Sequence, residues 1–323
     1  MGAGIYLDFE KPVIELEKRI DQMRELASDE NLELAKEIRL LEHKLEKLRQ
    51  DTFSRLTRWQ RVQLARHPLR PCTAEYIKLM TTDYIALHGD RTFSDDRALI
   101  GGFAKIDSLP VLILGQQKGR TTKQKLTHNF GMCHPEGYRK ALRLMEIAAR
   151  CGRPIVILID TPGAFPGIGA EERGQAEAIA RNIRDMAALD VPIVVVIVGE
   201  GASGGALGIG IGDRILMLEN SWYSVISPEG CAAILWKDHP NPIQKAPEAA
   251  EALQPTAQDL KESGIIDDIL PEPQGGAHRH PEAQSRIVKH AVLSHVRELM
   301  AWPTTVLLKK RHEKYRRMGK FTE

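Results

Sequence analysis

Residues 192–212, PIVVVIVGEGASGGALGIGIG, constrain the fold more than any other stretch of this chain. They open with an unbroken apolar run, 192–198, rich in β-branched residues. Branched side chains pack well on a pleated surface, and a run without polar alternation predicts a strand buried on both faces. The strand then runs into GEGASGGALGIGIG, where seven of fourteen residues are glycine and two more are alanine. A helix from about Gly204 is compatible with these residues only at a cost, because each helical glycine is less favourable than alanine by roughly 1 kcal/mol. Glycine permits positive φ and lets another atom approach the backbone closely. The turn has two readings. Its free N–H groups face a ligand anion or a developing oxyanion, or its small residues let a helix pack tightly on the sheet.

Two nucleotide motifs are tested by these glycines. A phosphate loop is excluded, since no GKS or GKT comes after them. Gly199, Gly201 and Gly204 spell GxGxxG after a strand, but the next apolar run begins at Arg214. A parallel crossover ordinarily takes a dozen or more residues, so the spacing argues against a dinucleotide site.

The 323 residues suffice for one large domain or two smaller ones. Hydrophobic content of 42% and charged content of 27% describe a globular chain, and a net charge of +2 favours neither nucleic acid nor membrane. No run approaches the roughly 20 apolar residues of a membrane span. The opening MGAGIYLDFEKP has no apolar core like that of a signal peptide, so the expected location is cytoplasmic. Cys72, Cys133, Cys151 and Cys231 are far apart and form no CxxC pair, which reads as free thiols and no metal site built from this chain.

Along the chain, Val13, Leu16, Ile20 and Met23, then Leu34, Ile38, Leu41, Leu45 and Leu48, recur in steps of three and four. They predict two helices joined by a turn at Ser28-Asp29-Glu30-Asn31, a hairpin acting as a docking or oligomerisation arm, with HPLRP ending the linker near residue 70. The predicted organisation is an arm and linker over 1–70, a main domain over 71–300 and a basic helical tail over 301–323. Residues 73–88 read as helical. Strands over 99–106 and 111–115 flank DSLP as an antiparallel pair. GQQKGRTTKQKLTHNFGMCHPEG reads as a polar, basic loop, in which Lys118, Arg120, Lys123 and Lys125 are candidates for holding phosphates or are simply solvated. Pro135 at N1 and Gly152 at C′ bound a helix. PIVILID, 154–160, is a second doubly buried strand, followed by TPGAFPGIGAEERG and a helix over 175–189. One unit thus occurs twice: helix, apolar strand, glycine-rich loop, helix. This order predicts a parallel sheet with both loops at the carboxyl ends of strands, where open α/β sheets place ligands.

Further on, strands are expected over 214–218 and 222–226. Ser227-Pro228-Glu229 reads as a helix start, with short helices beyond it over 246–253 and 256–263. His278 and His280 form an HxH pair expected at the surface, since no third ligand stands at a known spacing. An amphipathic helix is expected over 281–300, and the tail from Leu307 is basic and helical. No GxSxG or HExxH occurs. Ser203 is a conceivable nucleophile without an assignable histidine or aspartate. Glu171 and Glu172 sit in a first helical turn, where a carboxylate usually complements the helix dipole.

Several long segments now carry a resemblance. IDTPGAFPGIGAEERGQAEAIARN, GEGASGGALGIGIGD and YSVISPEGCAAILWK resemble the bacterial α subunit family of acetyl-CoA carboxylase carboxyltransferase. GQQKGR, NFGMCHPEGYRKALRLM, PEPQGGAHR and the LDFEKPVIELE opening are similar to that family too. The resemblance runs from about Tyr6 to the final helix. It departs at Cys133-His134, where a proline-containing variant is expected, and 238–244 are slightly extended.

The resemblance implies an α/β, crotonase-like (ClpP/crotonase) fold of stacked ββα units with an N-terminal helical arm. It implies carboxyl transfer from carboxybiotin, borne on a biotin carboxyl carrier protein, to acetyl-CoA. The product is malonyl-CoA, at the committed step of fatty acid biosynthesis. The implied partners are a β subunit with a zinc ribbon in an α₂β₂ assembly, and biotin carboxylase. By motif match, Gly204 and Gly205 form the oxyanion hole for the biotin ureido oxygen, and Ala206 adjoins them. The Gly163-Ala164 turn shapes the neighbouring wall, and Lys118 and Arg120 are candidate substrate contacts. A self-contained acyl-CoA hydratase or isomerase is the alternative, recognisable by an internal pair of catalytic carboxylates. A non-catalytic scaffold is a third reading, recognisable by tolerance of substitutions in both glycine loops.

Overall fold

The computed structural model describes residues 5–26 and 32–319. Helices α1 (Lys11–Leu26) and α2 (Leu32–Ser54) form the expected hairpin. Val13, Ile20, Ile38 and Leu45 are its buried centre, flanked by the remaining stripe residues. The connecting residues 28–31 lie outside the described ones. Helices α3 (Arg58–Ala65) and α4 (Thr73–Met80) lead into the body. Thr57 caps α3 by accepting the Gln60 N–H, which fixes its start.

The body is built on one sheet: β1 (Thr82–Ala86), β2 (Leu99–Ile106), β3 (Leu109–Gln116), β4 (Ile155–Thr161), β5 (Ile193–Ala202), β6 (Arg214–Leu218), β7 (Trp222–Ser224) and β8 (Asp268–Leu270). Strand order is β1-β2-β3-β4-β5-β6-β8, with β7 pairing the far end of β5. The first three strands are antiparallel neighbours, and from β3 onward the pairings are parallel. The segment 73–88, expected as one helix, turns at Thr81 into edge strand β1, whose Ile85 and Ala86 pair with Phe103 and Gly102. Its local pattern is helical, but the free edge of β2 supplies backbone partners that a longer helix would leave open.

The two branched runs behave as predicted. Every residue of β4 and β5 is buried. Their side chains divide by parity: Ile155, Ile157, Ile193 and Val195 enter one core layer, Val156, Leu158, Val194 and Val196 the other. Period two therefore feeds both faces at once. Fully burying each such side chain stabilises by about 1.5–3 kcal/mol. Between β3 and β4 lie α5 (Thr122–Thr127) and α6 (Pro135–Arg150); between β4 and β5 lie α7 (Ile168–Glu172) and α8 (Gln175–Ala188). Helices α6 and α8 cover the first face, with Tyr138, Met145, Ala178 and Met186 buried there. The basic stretch 115–137, expected as a loop, contains α5 and a short 3-10 turn, Asn129–Gly131.

β5 reaches β6 through residues 203–213, which hold only α9 (Ser203–Leu207). β5 and β6 are nonetheless parallel, so the short spacing that argued against a crossover is accommodated. GIGIG makes this possible. A Cβ on Gly208 would lie 2.7 Å from the Tyr138 ring, and one on Gly212 would lie 2.9 Å from Val195.

The chain closes with α10 (Pro228–Leu235), α11 (Ala246–Leu253), α12 (Ala257–Glu262), α13 (Pro281–Met300) and α14 (Thr304–Arg317). Ser227 caps α10 as expected. Helix α13 covers the second face of the sheet beside α4, with Val288, Val292, Val296 and Leu299 in that core. Helix α14 is more than an appended tail. Its Arg311 side chain is buried and donates to the Met186, Leu189 and Val191 carbonyls at 3.1, 2.6 and 2.8 Å, while pairing with Asp213 at 2.8 Å. The tail thus satisfies carbonyls at the end of α8 that helix geometry leaves open.

Candidate active site

The carboxyl ends of β4 and β5 bring the two glycine-rich loops together. After β4 the chain turns at Gly163, with φ at 146°. The Thr161 hydroxyl fixes this turn: it accepts the Gly163 N–H at 3.1 Å and lies 2.7 Å from the Gly131 and Gly163 carbonyl oxygens. Gln175 ties the next stretch down, donating to the Cys133 and Phe165 carbonyls at 2.9 and 3.0 Å.

After β5 the chain turns at Ser203, a non-glycine residue at φ 56°. Left-handed backbone disfavours a residue carrying a Cβ, so tertiary contacts must hold it. Helix α9 has no side-chain cap. Gly205 is buried against the first loop: a Cβ there would stand 2.4 Å from the Gly163 carbonyl carbon and 2.6 Å from the Ala164 nitrogen. Gly204 is half-buried, and a Cβ on it would meet only Ile179 at 3.4 Å. Nothing lies within 4 Å of where a Cβ on Gly163 would project, so the face of that turn is open. The structure thus brings Gly163, Ala164, Gly204, Gly205 and Ala206 to one place. Gly205 is small for packing, as one of the two sequence readings has it, and the space a Cβ on Gly163 would take is open.

Beneath the loops lies a polar layer that the sequence did not disclose. Buried Gln116, at the end of β3, donates from Nε2 to the Gly205 carbonyl at 2.9 Å and accepts the Asp160 N–H at 3.2 Å. Lys118 donates to Asp160 at 2.7 Å and also to Glu200, whose own N–H donates to Asp160 at 3.0 Å. Arg66 pairs with Glu200 at 2.5 Å and with Glu229. Burial works against the Glu200 charge, but Lys118 and Arg66 outweigh it and hold its carboxyl below the ordinary range. Burial likewise opposes the Lys118 charge, and Asp160 and Glu200 reverse the balance and raise its pKa.

Lys118 therefore directs its donors to carboxylates at the strand ends, and Arg120 is paired with Glu75 at 2.7 Å. Both line a cleft of about 280 Å³ with Arg66, Lys125, Phe130 and Pro162. Beside α9 is an apolar pocket of about 570 Å³, lined by Ser203, Leu207, Ile215, Tyr223 and Met318 among others. Ser203, Glu171 and Glu172 are exposed.

His278 departs from its expected surface position. Its side chain is only 6% exposed and stands 3.3 Å from Glu10, and its ring stacks on His67 with centroids 3.9 Å apart. Glu10, His67 and His278 bring potential ligand atoms within 4.8 Å. The hydrogen bonds describe a different use. His67 Nδ1 accepts the Leu69 N–H, its Nε2 faces the Ile5 carbonyl at 3.0 Å, and Glu10 accepts the Leu7 N–H. Burial and the adjacent His278 push the His67 pKa down to about 4, so the ring is neutral at pH 7. The three residues latch the N-terminal segment to the body, aided by Arg279 on Glu17 at 2.6 Å. His280 is exposed as expected. Among the described residues, no helix is long and apolar enough to cross a membrane.

Known proteins resemble this chain in sequence and in fold. Residues 6–319 match the family model described as acetyl co-enzyme A carboxylase carboxyltransferase-like. The chain is 56% identical over 323 residues to the acetyl-coenzyme A carboxylase carboxyl transferase subunit alpha of Geobacter metallireducens, covering all of both chains. It is 51% identical to the subunit of the same name from Anoxybacillus flavithermus, covering 98% of this chain and 96% of that one. Among solved structures it resembles a chain of a Pseudomonas malonate decarboxylase hetero-tetramer in complex with coenzyme A. There the TM-score is 0.57 and identity 16%, over 74% of this chain and 91% of the other. It also resembles transcarboxylase 12S, with TM-score 0.56 and 18% identity, over 70% of this chain and 42% of that one. These distant likenesses carry the fold alone, and that fold is the crotonase-like architecture. A near-complete family match, close full-length relatives and two glycine turns meeting at the carboxyl edge of a parallel sheet agree: the chain belongs to the acetyl-CoA carboxylase carboxyltransferase family, on its α-subunit branch.

Proposed function

We propose that this chain is the α subunit of an acetyl-CoA carboxylase carboxyltransferase, moving a carboxyl group from carboxybiotin to acetyl-CoA to give malonyl-CoA. The observation that carries the assignment to particular residues is the seating of Gly205 directly on the Gly163-Ala164 backbone. Carboxybiotin, borne on a carrier protein, supplies the activated carboxyl group and a ureido oxygen on which negative charge develops. The residues present suit such a group. Gly163 faces open space, and no side chain caps the turn at Ser203. The N–H groups of Gly204 and Gly205, with Ala206 adjoining, stabilise the developing charge. One such donor is worth about 3 kcal/mol in comparable sites.

Gly163 and Ala164 form the wall that keeps this backbone in place. Lys118 acts from below by holding Asp160 and Glu200 at the ends of β4 and β5. Arg120, Lys125 and Arg66 line the adjoining cleft, where Arg66 is paired with Glu200 and Glu229 and Arg120 with Glu75. In this reading a β subunit binds the thioester and completes the site, in an α₂β₂ assembly served by a biotin carboxyl carrier protein and biotin carboxylase.

The self-contained hydratase or isomerase is not favoured. The buried carboxylates at the ends of β4 and β5, Asp160 and Glu200, share Lys118 instead of standing free as an acid–base pair. The test is carboxyl transfer to acetyl-CoA from a carboxybiotin donor, with this chain alone and with a β subunit added. Activity confined to the mixture supports a divided site; activity from this chain alone overturns it.

A further inference from the structure

We propose that Gln116 is a positioning residue for the oxyanion-binding turn, locking the Gly205 peptide to the end of β4 so that the two glycine loops keep one relative geometry. This rests on the assignment of Gly204 and Gly205 to the oxyanion hole. The side chain is fully buried and uses both ends of its amide, one on the Gly205 carbonyl and one on the Asp160 N–H.

Helical bonding passes the Gly205 carbonyl by. Within and beyond α9, the Gly208 N–H goes to Gly204 and the Ile209 N–H goes to Ala206. Besides Gln116, the Tyr138 hydroxyl stands near the Gly205 oxygen, at 3.5 Å. A five-residue helix built largely of glycine and other small residues has little rigidity of its own. Its orientation is therefore set from outside, by Gln116 behind it and by the Gly163-Ala164 backbone in front. Asp160, at the other end of the amide, also accepts the Glu200 N–H and the Lys118 ammonium. One side chain thus ties β3, β4 and α9 at the point where both loops begin.

The neighbouring Gln117 makes a matched control. It is also buried and also uses both ends of its amide, but on the Ala74 N–H and the Cys72 thiol and on neither loop.

The experiment measures steady-state carboxyl transfer by the chain assembled with its β subunit. Gln116→Met keeps the volume and removes both hydrogen bonds. It is expected to lower kcat roughly 30-fold while the KM for acetyl-CoA stays within about twofold. Gln117→Met is expected to leave kcat unchanged. Gln116→Glu adds a readout that a purely structural role would not move. A protonated carboxyl donates to the Gly205 oxygen as the amide does, whereas an ionised one repels it. Its kcat relative to the unsubstituted enzyme is expected to rise about fivefold as pH falls from about 8.5 to 6, since burial raises a carboxyl pKa.

A Gln116→Met enzyme within about threefold of normal kcat overturns the proposal. So does a flat pH ratio for Gln116→Glu, or an equal loss in Gln117→Met. Gly205→Val separates the oxyanion role from the positioning role. If it retains transfer, the oxyanion reading itself fails; if it loses transfer while Gln116→Met does not, only the positioning role fails.

Discussion

The two glycine-rich loops begin alike and end differently. Each leaves the carboxyl end of a fully buried strand, and each turns through positive φ at its corner. In the first, the corner is Gly163, and its conformation is held locally by Thr161, two residues away. In the second, the corner is Ser203, and the segment beyond it is held by distant groups: Gln116 and the first loop itself. The corner of the first loop is set by its own sequence. The second loop is a glycine segment with little local stiffness, made rigid by its neighbours. A binding turn needs open N–H groups and a fixed position together; pressing one loop on the other supplies the fixed position.

The sharpest way to break this contrast is at its contact. Gly205→Val drives a branched side chain into the Gly163-Ala164 backbone and is expected to lower carboxyl transfer on the order of 10³-fold in the assembled enzyme. Gly204→Ala, whose Cβ finds ordinary contact, is expected to stay within about threefold of normal. Equal losses at the two positions would mean that proximity to the first loop is not what distinguishes them.

The support beneath the loops comes next. Lys118→Met leaves Asp160 without its ammonium partner and is expected to destabilise the chain by roughly 3 kcal/mol, read from denaturant midpoints. If stability is unchanged, the buried ion cluster is not what secures the strand ends.

Acidification probes the same cluster without a substitution. The Glu200 carboxyl has a folded pKa below its ordinary 4.5. Its charged form therefore contributes stability that is complete above that value and lost as pH falls from it through the folded pKa. Denaturant midpoints are expected to fall along this limb. In Lys118→Met the limb should move to higher pH, because a partner that lowers the Glu200 pKa is gone. A limb that stays in place would detach Glu200 from Lys118.

The smallest effects separate strain from contact. Gly163→Ala meets no atom but must hold φ at 146°, and about 2 kcal/mol of destabilisation is expected. Gly152→Ala, at φ 60° beyond α6 and also in open space, is expected to cost only about 1 kcal/mol. Thermal unfolding of the pair checks this. Equal values would show that the first loop stores no more strain than an ordinary helix terminus.

Much of this architecture is legible in the residues. PIVILID and PIVVVIV are strands because branched apolar runs without alternation fit only a doubly covered sheet, and the parity of their side chains assigns each to a layer. Pro135 and Ser227-Pro228 announce helix starts through local chemistry that tertiary contacts need not supply. Glycine marks the turns, because Gly163 permits φ at 146° and Gly205 permits the close approach of the first loop. The segment 73–88 reads as a single helix because strand β1 depends on an edge whose partner, β2, begins only at Leu99.

The candidate site divides along the same line. Its glycines are visible because backbone freedom is a property of a single residue. Its supports are not, because a buried polar group takes meaning only from its partner. Lys118 reads as a phosphate ligand until Asp160 and Glu200 stand beside it. His278 reads as a surface histidine until Glu10 and His67 enclose it. Gln116 reads as nothing in particular until both ends of its amide are seen to be used. By itself the sequence determined the strands, the caps and the two flexible turns, since these arise from local sterics and the apolar pattern. Only the tertiary structure decided which turn is pressed on which and what holds them, because burial forces each polar group to find a partner wherever in the chain that partner lies.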